Sequence, residues 1–175
     1  KTFLMPLLAL VLAAAVLLGL TFGLKGVASA NAQKEHLYMM QTILPGSENF
    51  TVEPYTGEDA NIRSVHKGET GFVIETATQG YADEIVMLIG VSNDGKVTGL
   101  VVTQAHETIG LGGNALTDHE FLAQFLNSAG AFEVATSGAD AFSGATGEAA
   151  PEGETVAVDA ITGATVTSKA VVRCV

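Results

Sequence analysis

From Thr2 to Leu24 the chain carries no charged side chain, and about 23 residues at 1.5 Å each reach roughly 35 Å, enough for a bilayer core of about 30 Å. Lys1 and Lys25 bracket the run. The pattern predicts a transmembrane anchor over residues 1–25. A cleaved signal peptide is the competing reading, because Ala28-Ser29-Ala30 and Ala30-Asn31-Ala32 have the small-x-small spacing of a signal peptidase site, but the apolar core of such a peptide usually spans only about 7 to 15 residues. The chain opens on Lys rather than Met, so it is expected to begin a few residues into the gene product. The even flanking charge lets the positive-inside rule point only weakly to a cytoplasmic N-terminus. The expected placement is a single pass in the cell membrane, with the soluble domain on the extracytoplasmic side.

Beyond a short polar link, Leu37, Met40, Ile43 and Leu44 recur at helical spacing, and Pro45-Gly46 ends the run. Residues 26–45 therefore read as a linker and stalk helix. Gly71 to Thr78 and Glu84 to Val91 are rich in β-branched and aliphatic residues, and Asn93-Asp94-Gly95 turns the chain into a similar stretch from Lys96 to Thr103. This is a hairpin of an antiparallel sheet. Thr117 and Glu120 have capping-box spacing ahead of Phe121, Leu122, Phe125 and Leu126, which predicts a helix from about Asp118 to Asn127. Ser128 to Gly153 has little periodicity and reads as loop. A short strand from Thr155 to Val158 precedes the turn Asp159 to Thr165 and a segment from Val166 to Val175 that suits a helix. Strands grouped together, with helices at the ends, predict an α+β class.

Charge narrows the partners. After Lys25 the chain holds six basic against nineteen acidic residues, a net charge of −13. Nucleic acid is excluded as a partner, since phosphate backbones require clustered Lys or Arg. Cys174 is the single cysteine, so an intrachain disulfide and a Cys-based metal site are both ruled out. The four histidines lack ligand spacing, and no metal is expected.

The strand, glycine turn and helix start over 155–168 present backbone N–H groups and the positive end of a helix dipole. Such a place suits phosphate. Thr162, Thr165, Thr167 and Ser168 add hydroxyls, Gly163 permits close approach, and Lys169 adds charge one turn on. The plainer alternative is that Thr162 caps the last helix.

Asp159-Ala160-Ile161-Thr162-Gly163-Ala164-Thr165 resembles the flavinylation motif D-x-x-(S/T)-G-A-T of the FMN-binding domain family, found in the G subunit of the Rnf complex and the C subunit of the sodium-pumping NADH:quinone reductase. The resemblance implies covalent FMN, its phosphate joined as a phosphodiester to Thr165 by a separate flavin transferase that draws on FAD. Asp159 and Thr162 would shape the turn or be read by the transferase, and Gly163 and Ala164 would leave room for the phosphate. His106-Glu107-Thr108-Ile109-Gly110-Leu111-Gly112 is similar to the family's E-T-P-G-L-G segment, with Ile109 in place of Pro. By that likeness Leu111 packs on the flavin ring, while Glu107, Thr108, Gly110 and Gly112 surround its polar edge. Gly80-Tyr81 also resembles the family and places Tyr81 among the cofactor contacts; Ala82-Asp83 stands where two small glycines are usual.

Asp140 to Thr146 fits the acceptor pattern as well. Glu148 and Glu152 follow it where helix-compatible residues follow Thr165, which favours Thr165. The implied protein is an electron-relay subunit of a membrane-bound, ion-translocating ferredoxin:NAD+ oxidoreductase of the Rnf type, with an FMN-binding domain over residues 46–175. It carries electrons without being a complete enzyme, and its partners are the other membrane subunits and, during maturation, the transferase. The alternatives are the quinone reductase C subunit, a free-standing anchored flavoprotein, or a non-redox binding module.

Overall fold

The computed structural model describes residues 4–108, 112–135 and 155–175, the side chains of 4–10 and 20–26 excepted. Two units divide the chain, Lys1–Tyr38 and Met39–Val175. The first consists of helix α1, which spans Leu4–Ile43 and whose last turn belongs to the second unit.

The expected N-terminal transmembrane helix is corrected, together with the single-pass cell-membrane placement and the extracytoplasmic position that rested on it. Among the described residues no helix is long and apolar enough to cross a membrane. The apolar run does not stand as an element of its own, because α1 continues unbroken through Lys25, Lys34 and Glu35. The polar link expected after residue 25 is helical too.

The second unit is α+β, with an antiparallel sheet flanked by helices. Strands β1 (Thr51–Glu53), β2 (Ile62–Lys67), β3 (Gly71–Gln79), β4 (Glu84–Ser92) and β5 (Val97–Gln104) follow one another in sheet order, each antiparallel to the next. The expected hairpin is β4–β5, and Gly95 makes its turn at φ +80°. In β4 every residue from Ile85 to Gly90 is buried. Alternation explains this: Ile85, Met87 and Ile89 enter one core, and Leu88 enters another.

On the Leu88 side, Met40, Ile43 and Leu44 at the end of α1 pack with Val73. The helix stops where Gly46 takes φ +86°. Gly90 and Gly99 face each other across β4 and β5. A Cβ at Gly90 would lie 2.3 Å from the Ile43 carbonyl oxygen, and one at Gly99 would lie 2.8 Å from Ile43 Cα. The glycine pair thus opens the dent that receives the last turn of α1, and the Thr98 hydroxyl donates to the Ile43 carbonyl there.

On the other side lie α2 (Gly112–Ala115), α3 (His119–Ala123) and α4 (Thr165–Cys174). Leu116, Phe121, Phe125, Val158, Ala170 and Val171 fill that core. The α3 region differs from the capping-box expectation. Asp118 is the N-cap and accepts from the Phe121 N–H at 2.9 Å, whereas the Thr117 hydroxyl donates back to the Gly113 and Asn114 carbonyls. The helix gives way to turns after Ala123, and Asn127 at φ 59° ends that stretch. Strand β6 (Phe132–Ala135), inside the stretch read as loop, pairs in parallel with β7 (Val156–Asp159). That pairing carries the chain directly into the turn before α4.

Candidate functional site

The turn after β7 is built by its own backbone. Gly163 adopts φ +81°, which only a residue without Cβ takes readily, and the Ala164 N–H donates to the Ile161 carbonyl at 2.9 Å. Ala164 is the N-cap of α4, and no side chain caps the helix there. The Thr162 cap reading is therefore not what the structure contains. The Gln124 side chain grips the end of β7 from α3's flank, accepting from the Asp159 N–H at 2.8 Å and donating to its carbonyl at 3.3 Å.

The hydroxyls of this turn divide by helical phase. Thr167, Ser168, Ala170, Val171 and Cys174 are the buried residues of α4, at the i, i+3, i+4, i+7 spacing of one face. Thr167 donates to Glu107 Oε2 at 2.8 Å. Ser168 donates to the Ala164 carbonyl at 3.0 Å and accepts from the Ile161 N–H at 3.2 Å. Both are committed inside the fold. Thr165, the first residue of the helix, is exposed, as are Thr162 and Lys169.

Thr165 lines a cavity of about 310 Å³ with Tyr81, Gly112, Gly163, Ala164, Val166 and Thr167. Among these residues none is acidic, and the uncapped first turn of α4 aims its donors toward an anion placed there. A Cβ at Gly112 would sit 2.4 Å from both Glu107 Oε2 and Thr167 Oγ1, so this wall accepts no side chain without rearrangement. Tyr81, 69% exposed in the β3–β4 turn, closes another side. A second cavity, about 650 Å³, is walled by β5 from Leu100 to Gln104 and by Ala105, Glu107, Gly113 and Leu116.

Tyr81, Gly112, Gly163, Ala164 and Thr165 thus come together around one cavity. Thr162 stays in the adjoining turn, and Asp159 ends β7 outside the lining. Thr108 is exposed, and its carbonyl accepts from the Gly113 N–H at 3.0 Å. The Glu107 carboxylate points to the Ala82 N–H and to Thr167. Gly110 and Leu111, and the second acceptor pattern from Asp140 to Thr146, lie outside the described residues. The Gln124 clamp and the Thr167–Glu107 bond escape a reading of the sequence; the phase of α4 signals the second, since it turns Thr167 inward.

The profile of the FMN-binding domain family matches residues 80–175, a span that contains the β3–β4 turn, the Glu107 loop and α4. The chain belongs to the FMN-binding domain family. Within that span this FMN-binding domain supplies every lining residue of the 310 Å³ cavity. Its chain is homologous to the G subunits of two ferredoxin:NAD+ oxidoreductase complexes. It is 36% identical over 102 residues to the G subunit of the Na+-translocating complex of Acetobacterium woodii, covering 58% of this chain and 44% of that one. It is 35% identical over 102 residues to the G subunit of the proton-translocating complex of Clostridium ljungdahlii, covering 58% and 48%. The chain spans less than half the length of these curated relatives.

Proposed function

We propose that this FMN-binding domain carries electrons on FMN joined through its phosphate to Thr165 Oγ, as a relay subunit of a ferredoxin:NAD+ oxidoreductase complex like those named for its relatives. The observation that carries this reading is the sorting of hydroxyls in one turn. Thr167 and Ser168 are turned inward and hydrogen-bonded, while Thr165 stands exposed at an uncapped helix start in the wall of a cavity.

The residues present suit the cofactor. Backbone N–H groups of the first turn of α4 would hold the phosphodiester, whose remaining charge is favoured at a helix N-terminus by about 0.3 to 1 kcal/mol. Gly163 and Gly112 allow close approach, Ala164 adds little bulk, and Tyr81 offers an aromatic face at the mouth. Thr162, Thr108 and Asp159 surround or lead into the turn. Bound FMN supplies one- or two-electron redox chemistry, and the protein places and tunes it. Attachment forms a bond from Thr165 Oγ to the FMN phosphorus while the pyrophosphate bond of FAD breaks. AMP departs, and the hydroxyl proton passes to a base of the flavin transferase. The other subunits of the complex would be the electron donor and acceptor.

Co-production with a flavin transferase tests this reading. The wild type should gain in-gel flavin fluorescence that survives denaturation, and Thr165→Ala should abolish it. Fluorescence that persists in Thr165→Ala, or a flavin mapped to Thr146, refutes the assignment.

A further inference from the structure

The carboxylate of Glu107 sits at the junction of three segments. Its Oε1 accepts from the Ala82 N–H of the β3–β4 turn at 3.1 Å, and its Oε2 accepts from the buried Thr167 hydroxyl at 2.8 Å. Glycines stand where the group is tightest. A Cβ at Gly80 would lie 2.3 Å from Oε1, and one at Gly112 would lie 2.4 Å from Oε2. Glu107 is absent from the lining of the Thr165 cavity, although Thr167, Gly112 and Tyr81 all line it, and it lines the 650 Å³ cavity beside β5 instead.

We propose that Glu107 is a positioning residue: it ties the first turn of α4 to the β3–β4 turn and so sets the Thr165 hydroxyl for attachment, without itself touching the flavin. The inference rests on the Thr165 reading above. Both carboxylate oxygens are engaged by protein donors, one from each side of the cavity. Holding two walls through one anion fixes the gap between Tyr81 and Thr165. A hydrogen bond to a charged group is stronger than one between neutral partners. Without the carboxylate, Thr167 keeps a buried hydroxyl with no acceptor, and the first turn loses its tie to the rest of the site.

Glutamine separates geometry from charge. Its amide oxygen can accept from the Ala82 N–H while its amino group donates to Thr167 Oγ1. The test follows the rate of covalent flavin incorporation with transferase and FAD, together with hydrogen exchange of the 165–168 amides in flavin-free protein. Glu107→Ala should slow incorporation by about tenfold or more, since one of its two lost charged hydrogen bonds is alone worth about that much, and speed exchange at those amides. Glu107→Gln should restore both toward wild type. Thr167→Val, which exchanges the hydroxyl for a methyl, should reproduce the alanine effect in part and decides the matter if Glu107→Ala does not fold. Wild-type incorporation and exchange in both Glu107→Ala and Thr167→Val would overturn the proposal. So would a Glu107→Gln protein that loads normally but has a shifted flavin absorbance maximum, because the carboxylate would then touch the ring. Thr165→Ala runs alongside: retained fluorescence there sinks the acceptor assignment itself, whereas its loss beside normal Glu107 variants sinks the positioning role alone.

Discussion

Replacing Gly112 with alanine introduces one methyl group where two hydrogen-bonded oxygens already stand. The new Cβ would meet Glu107 Oε2 and Thr167 Oγ1 at 2.4 Å each, with Glu107 Cδ at 3.3 Å. Those oxygens are 2.8 Å apart, so neither can retreat to ordinary contact distance while keeping the bond. A hydrogen bond to a charged group contributes about 1.5 to 3 kcal/mol, and the low end applies because Glu107 is half-buried. Alanine recovers up to about 0.5 kcal/mol over glycine, less than the mid-helix figure, because Gly112 opens the four-residue α2. The net cost is therefore about 1 kcal/mol, a fall in the urea midpoint of about 0.3 to 1 M for an ordinary m-value. Urea unfolding of flavin-free protein measures it. In a Thr167→Ala background the bond is already gone, and Gly112→Ala should become neutral or stabilising. An equal cost in both backgrounds would refute the account, because the methyl would then be clashing with something other than the Glu107–Thr167 pair.

Other outcomes follow from the same structure. Asp118→Ala should cost about 1 kcal/mol by leaving the Phe121 N–H without its cap, with Asp118→Asn retaining most of the stability in the same urea assay; Thr117→Ala should cost less than Asp118→Ala. Burial pushes the Cys174 thiol above its ordinary value of 9.0, so native protein at neutral pH should resist a thiol reagent that labels it readily in denaturant. Because the folded state holds that proton more tightly, stability should fall as pH rises above about 9, and Cys174→Ala should flatten the slope. Thr165→Ala should leave the urea midpoint nearly unchanged while it removes the flavin, since its side chain is exposed at an uncapped position.

The central strands are legible in the sequence because burial on both faces leaves an unbroken apolar run, as in Ile85 to Ile89, and Asn93-Asp94-Gly95 marks the turn between them. β1 and β2 escape because neither contains a fully buried residue. Val52 is 66% exposed, and β2 mixes Arg63, His66 and Lys67 with its apolar residues. β6 escapes because four residues in a Gly- and Ala-rich stretch become a strand only through pairing with β7 across the fold. Capping-box spacing sets the cap of α3 one residue early, since Thr117 and Asp118 are both competent and tertiary packing decides between them. At the site, the glycine turn from Asp159 to Thr165 and the helix that follows it are readable. Counting its hydroxyls treats them alike, and only the phase of α4 separates Thr167 and Ser168 from Thr165. Length of apolar sequence alone misleads at the N-terminus, where the helix extends well past the run.

The glycine pair beneath Ile43 also has a mechanical meaning. Load applied to the last turn of α1 enters the sheet at Gly90 and Gly99, on β4 and β5, rather than at the edge strand β1. Those two strands are paired antiparallel from Val86 and Gln104 to Val91 and Val97, with register shifts between Val86 and Met87 and between Gly90 and Val91. β5 runs on into the Glu107 loop. Tension on that turn would therefore reach the strand that leads to the Thr165 cavity, making the glycine dent both an anchor and a strain gauge.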